Sequence, residues 1–232
     1  METPSHALEI NLKRDLVHHN TPAITLFPEY ASLYSLIGSE VENLSKIQLD
    51  FESDYWEWSK WSIRRQLSHM ASLIYRWLLV RWGETLFPNN EHGVDDVNGL
   101  AHSKFDRRMD EDRYWAYPII MEKLKNGLGL VQAVLNTRDI TFLRSRSIIY
   151  DQGPHWKVML KAHPDGVTNT DDPSKGLMFL EASIRHIYYE EITHLYNIQR
   201  LKRAQGLDTI VTIPRIGYWV QDGWDISEPD QL

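Results

Sequence analysis

Three residues of this 232-residue chain stand out by type and spacing: His69, Glu190 and His194. Glu190 and His194 are i and i+4, so on a helix they lie one above the other, close enough to grip a single ion. Two imidazoles and a carboxylate leave open positions for water or substrate, a donor set used by zinc, non-haem iron or nickel. The chain has no cysteine, which excludes thiolate ligands, cysteine nucleophiles and disulfides together.

The element that must carry the pair is "HIYYEEITHLYNIQRLKRAQG", residues 186–206. On a wheel of about 100° per residue its apolar centre lies near Ile187 and Ile198, with His194 about 20° and Glu190 about 60° from Ile187. Glu191 lies nearer that centre, three residues before His194, and competes for the ligand role. His186, one turn before Glu190, is a reserve on the helix flank. A buried carboxylate is costly unless paired, hydrogen-bonded or bound to metal, so this face needs a partner from elsewhere. His69, in the apolar stretch "WSIRRQLSHMASLIYRW", supplies one. In the metal-free alternative, Glu190 or Glu191 pairs with an arginine such as Arg65 or Arg76. A di-iron carboxylate site would need a second Glu-x-x-His, which the chain lacks.

Hydrophobic spacing predicts four long helices, over about 28–49, 62–86, 114–137 and 176–205. Ser62 is the expected cap of the second, Pro88 its stop, and Gly206 the C-cap glycine of the fourth. Gly127 and Gly129 weaken the third by about 1 kcal/mol each. Residues 88–112 read as a polar loop with room for one short helix. Residues 148–175 read as an insertion in which "HWKVMLKAH" is a short strand, and the tail after Gly206 as adding another. The expected fold class is all-α, a four-helix bundle with long crossover connections, built as a single domain over 1–232.

The two helical motifs resemble the DinB/YfiT-like metalloenzymes. "WSIRRQLSH" matches the family's Trp-Ser-x-x-x-x-x-x-His through Trp61, Ser62 and His69. "EITHLYNIQRLKRAQGL" is similar to its second element through His194, Leu195, Asn197 in place of glutamine, Leu201 and Gly206. The first histidine of the family's pair falls on Glu190 here. The resemblance implies a four-helix bundle, often a homodimer, with one divalent metal (Zn, Ni or Fe) on His69, Glu190 and His194. It also implies a low-molecular-weight thiol held by that metal as thiolate, and a small-molecule substrate in an S-transferase or hydrolase reaction.

Composition narrows the remaining classes. A net charge of -7 without a long basic run argues against nucleic acid as partner. "MASLIYRWLLVRW", interrupted by Arg76 and Arg81, falls short of the roughly 20 apolar residues that a bilayer needs. The N-terminal "METPSHALEINLKRDL" has no apolar h-region, so the expected compartment is the cytoplasm. Nine Trp and eleven Tyr make aromatic packing prominent. Tyr55, Trp56, Trp58, Trp61, Trp77 and Trp82 are expected in the core or at a dimer face before a substrate pocket. Arg200, Lys202 and Arg203 are expected to complement the helix dipole. His18, His19, His155 and His163 lack ligand spacing and are expected at the surface. The alternative to an enzyme is a metal-free, noncatalytic bundle that binds a ligand or dimerises.

Overall fold

Capping residues decide where the helices of this chain start and stop. The computed structural model describes residues 21–229; the expectations for the N-terminal segment, including His18 and His19, lie outside the described residues. Among the described residues the chain is mainly helical, with ten α-helices and one three-stranded sheet. They divide into two compact units, one of residues 29–131 and 185–229, the other of 21–28 and 132–184. No helix among the described residues is long and apolar enough to cross a membrane.

In the first unit, α1 (Tyr30–Val41) buries Tyr30, Leu33, Ile37 and Val41. The helix expected over 28–49 breaks behind it. Glu42 is extended, Asn43 takes a φ of 61°, and Ser45 with Gln48 forms a reciprocal capping box that opens α2 (Lys46–Leu49). The Ser62 hydroxyl accepts from the Arg65 amide and starts α3 (Ile63–Tyr75). A π-helical turn, Arg76–Arg81, and α4 (Gly83–Leu86) follow, so the helix expected over 62–86 comes in three pieces. The loop over 88–112 holds more structure than expected. It contains a 3-10 turn at Pro88–Asn90, α5 (Val97–Ala101) capped by Asp96, and α6 (Glu111–Tyr114) capped by Asp110. Next comes α7 (Tyr117–Thr137), where a β-carbon at Gly127 would lie 3.3 Å from Ile74 Cγ2. That glycine lets α7 approach α3 closely.

The second unit takes the end of α7 and then α8 (Ile140–Ser145), opened by Asp139 accepting from the Phe142 amide at 2.7 Å. Its sheet is antiparallel in the order β1-β3-β2, with β1 at Ser147–Asp151, β2 at Val167–Asn169 and β3 at Lys175–Phe179. The segment "HWKVMLKAH" is not a strand but α9 (Trp156–Ala162), which buries Trp156 and Met159 at helical spacing. The Trp156 ring lies over Gly176 of β3, where any β-carbon would collide with it.

The last helix, α10 (Leu180–Ala204), starts later than expected because residues 175–179 belong to β3. It ends in a Schellman motif: Gly206 has a φ of 69°, its amide reaches the Arg203 carbonyl, and the Leu207 amide reaches Lys202, both at 2.9 Å. Beyond it the described tail forms no strand, only a 3-10 turn at Tyr218–Val220. Side chains take its amides instead. The Glu40 carboxylate accepts from Ile210 and Val211, and the Thr193 hydroxyl from Tyr218. The basic end of α10 is not simply an exposed complement to the dipole either. Lys202 is buried against Glu40, and Arg200 lies between the Trp58 and Tyr196 rings at 4.6 Å from each.

Candidate metal centre

Ser62 sets the phase of α3 so that Gln66 and His69, three residues apart, share a face; Glu190 and His194 share a face of α10. One ligating atom from each of His69, Glu190 and His194 lies within 4.8 Å of the others. These three could hold a metal ion. The 3 to 4 Å spacing expected around a metal with bonds of roughly 2.1 Å is met between His194 Nε2 and Glu190 Oε2, 3.3 Å apart. The set as a whole is looser. The two imidazole centroids are 4.4 Å apart.

Each imidazole is tied to the protein through its other nitrogen. His69 Nδ1 lies 3.0 Å from the Arg107 carbonyl, so it carries the hydrogen and donates it. His194 Nδ1 lies 2.5 Å from Gln66 Oε1. The Gln66 amide nitrogen donates to the Trp58 and Trp61 carbonyls, both at 3.4 Å, which turns its oxygen toward His194. Each ring therefore leaves its Nε2 for the group, and that of His194 faces a carboxylate oxygen. Either a proton or a metal cation between those two atoms satisfies both. Support of this kind behind the ring is what orients metal-binding histidines and raises their basicity.

Burial, and then the charge on His194, push the His69 imidazole well below its ordinary 6.5 despite the opposing pull of Glu190, so the ring is neutral. Burial alone would raise the Glu190 carboxyl. The His194 hydrogen bond, and then the charges of His186 and His194, outweigh it and hold Glu190 well below the usual carboxylate range. Glu191 goes the other way. It is fully buried, neither oxygen has a hydrogen-bond partner among the described residues, and burial followed by the charge on Glu190 pushes it well above 4.5.

Glu191 and His186, the two alternative ligands, both stand outside the group of three. His186 Nδ1 lies 2.5 Å from the Tyr218 hydroxyl, and its ring packs edge-on against Trp77. Arg65 pairs with Glu52 and Glu111, not with Glu190 or Glu191. Asn197 is not at the site; it accepts from Arg200 at 2.6 Å. His163 is buried rather than exposed, and His155 is at the surface as expected. Of the aromatic cluster, Trp58, Trp77 and Trp82 are core, Tyr55 is exposed, and Trp61 forms a wall of the centre, 5.2 Å from the His69 ring and stacked on His194 at 6.4 Å.

Sequence reasoning missed two groups here. Gln66 had a signal, a polar residue on a buried stripe one turn from His69. Arg107 had none, because its carbonyl reaches His69 from a loop 38 residues away. That carbonyl is aimed by a turn closed by Arg108 N to Phe105 O at 2.7 Å, in which Arg107 takes a φ of 60°. Left-handed backbone at a residue other than glycine costs roughly 1–2 kcal/mol.

No family model, no curated protein and no solved structure matches the chain.

Proposed function

We propose that this chain is a divalent-metal-dependent enzyme built on a DinB-like four-helix bundle, and that it transfers a low-molecular-weight thiol to a small-molecule substrate. The observation that carries the reading is the arrangement at His194. Its Nδ1–H is committed to Gln66 while its Nε2 faces the Glu190 carboxylate at 3.3 Å, with the neutral imidazole of His69 beside it. The four long helical segments for the bundle are α1, α3 with its π-helical continuation, α7 and α10.

His69 and His194 would hold the ion through Nε2 and Glu190 through a carboxylate oxygen. When bound, the metal supplies Lewis-acid chemistry, lowering the pKa of a thiol or water placed on it. Gln66 and the Arg107 carbonyl accept the Nδ1 hydrogens of both rings, which leaves each Nε2 as the atom that would ligate. Trp61 covers the two rings on one side. Access is from the side of Glu190 and His194, whose side chains are 24% and 13% exposed while His69 is buried. One carboxylate and two neutral imidazoles carry a single negative charge, which leaves a divalent ion with one positive charge for an anionic nucleophile. The family resemblance makes the working form a homodimer, a state that light scattering reads directly.

Elemental analysis of untagged protein tests the reading. About one zinc, nickel or iron per chain is expected in the wild type and none in His69→Ala or His194→Ala. Equal metal in all three refutes the assignment, and no metal in any of them favours a noncatalytic scaffold.

A further inference from the structure

Two arginines lie over the Trp61 ring, and they differ in what they are free to do. Arg108 is 5.1 Å from the ring, 11% exposed, and bound through Nε to Glu111 at 2.8 Å. Arg107 is 5.2 Å from the same ring and 55% exposed. Its Nε makes a 3.3 Å contact with Asp106, and its two terminal nitrogens have no protein acceptor among the described residues.

The backbone makes this arginine hard to explain as scaffold. His69 needs only the carbonyl at position 107, and the φ of 60° there suits glycine or asparagine. A residue that strains the turn and leaves its planar, two-pronged donor face open beside the metal group has the chemistry of a carboxylate clamp. A divalent ion on His69, Glu190 and His194, whose two imidazole rings also neighbour Trp61, would add a net positive charge nearby.

We propose that Arg107 is a specificity-determining residue of the centre, binding the carboxylate of a small anionic ligand whose other end lies at the histidines. The proposal rests on the metal reading above and adds the charge and shape of what that site accepts. Its test uses cobalt(II)-loaded full-length protein titrated calorimetrically with 3-mercaptopropionate and, separately, with neutral 2-mercaptoethanol.

The wild type is expected to prefer the anionic thiol by roughly fivefold, the scale of one partly exposed ion pair, and the preference should shrink as salt is raised. Arg107→Gly relieves the turn and should keep cobalt uptake and melting temperature while losing the preference; Arg107→Lys should restore part of it. If Arg107→Gly fails to take up cobalt, Arg107→Asn, which also suits the left-handed backbone, carries the same test. Equal affinity for the two thiols in the wild type, no affinity for either, or an unchanged preference in Arg107→Gly overturns the proposal. Failure of the wild type itself to take up cobalt, visible before any thiol is added, overturns the metal reading and the subsite with it.

Discussion

Helix α10 borders two buried carboxylate sites that solve the same electrostatic problem in opposite ways. At its C-terminal end Lys202 meets Glu40 of α1 at 2.6 Å, and the Glu40 carboxylate also accepts from Gln199 Nε2 and from the Ile210 and Val211 amides. Every lone pair there finds a protein donor, and the connector after α10 is held in place. Two to three turns earlier, Glu190, His194 and His69 bring together three atoms that could hold a metal ion, Glu190 and His194 sharing at most an imidazole proton that a cation can displace. A closed site stabilises the fold, whereas an open one waits for a cation from outside.

The largest effect that sharpens this contrast is expected at the closed site. Lys202→Met strands a buried carboxylate and should cost about 3–5 kcal/mol in urea unfolding, with metal content per folded chain unchanged. A loss of metal without a loss of stability would reverse the roles given to the two sites.

At the open site, Gln66→Leu removes the acceptor behind His194 and should weaken metal binding roughly 10- to 100-fold, read by competition with a chromogenic chelator. Unchanged affinity would mean that Gln66 supports packing alone.

Glu191 is a third case, a buried carboxyl with neither a donor among the described residues nor a place in the metal group. Its folded value lies above the ordinary 4.5, so folding takes up a proton there. The stability it contributes is fully present below pH 4.5 and is lost as pH rises through the folded value. Glu191→Gln removes that dependence, so its stability relative to the wild type should improve by up to about 1.4 kcal/mol per pH unit above 4.5. His69 has the opposite sign. Its folded value is depressed, so the stability linked to it is present above pH 6.5 and is lost as pH falls toward the folded value. Unfolding series at pH 5, 6, 7 and 8 for wild type, Glu191→Gln and His69→Ala separate the two slopes.

How much of this was legible depended on distance along the chain. The i, i+4 spacing of Glu190 and His194 and the apolar setting of His69 led to the three residues that the fold brings together. The caps at Ser62 and Gly206 marked real helix ends because capping is local. The break behind Val41 was also written locally, in Asn43 and the "SKIQ" capping box, but the apolar spacing of Leu44 and Ile47 outweighed it. The segment "HWKVMLKAH" was misread because a short apolar run does not separate helix from strand; the ring of Trp156 over Gly176 settles it, and that contact is tertiary. Glu191 was rightly placed nearer the apolar centre of its helix than Glu190, yet a wheel gives a direction and not what lies there. Gln66 and Arg107 act across the fold, through contacts spanning 128 and 38 residues, which no local pattern encodes.

The central claim is that the open carboxylate and the two imidazoles hold one metal ion. Anomalous diffraction from crystals of the metal-loaded protein, collected at the absorption edge of that metal, tests it most directly. The account predicts a single strong peak per chain, about 2.0–2.2 Å from His69 Nε2, His194 Nε2 and a Glu190 oxygen. An empty site, or a peak elsewhere such as at His163, would contradict it.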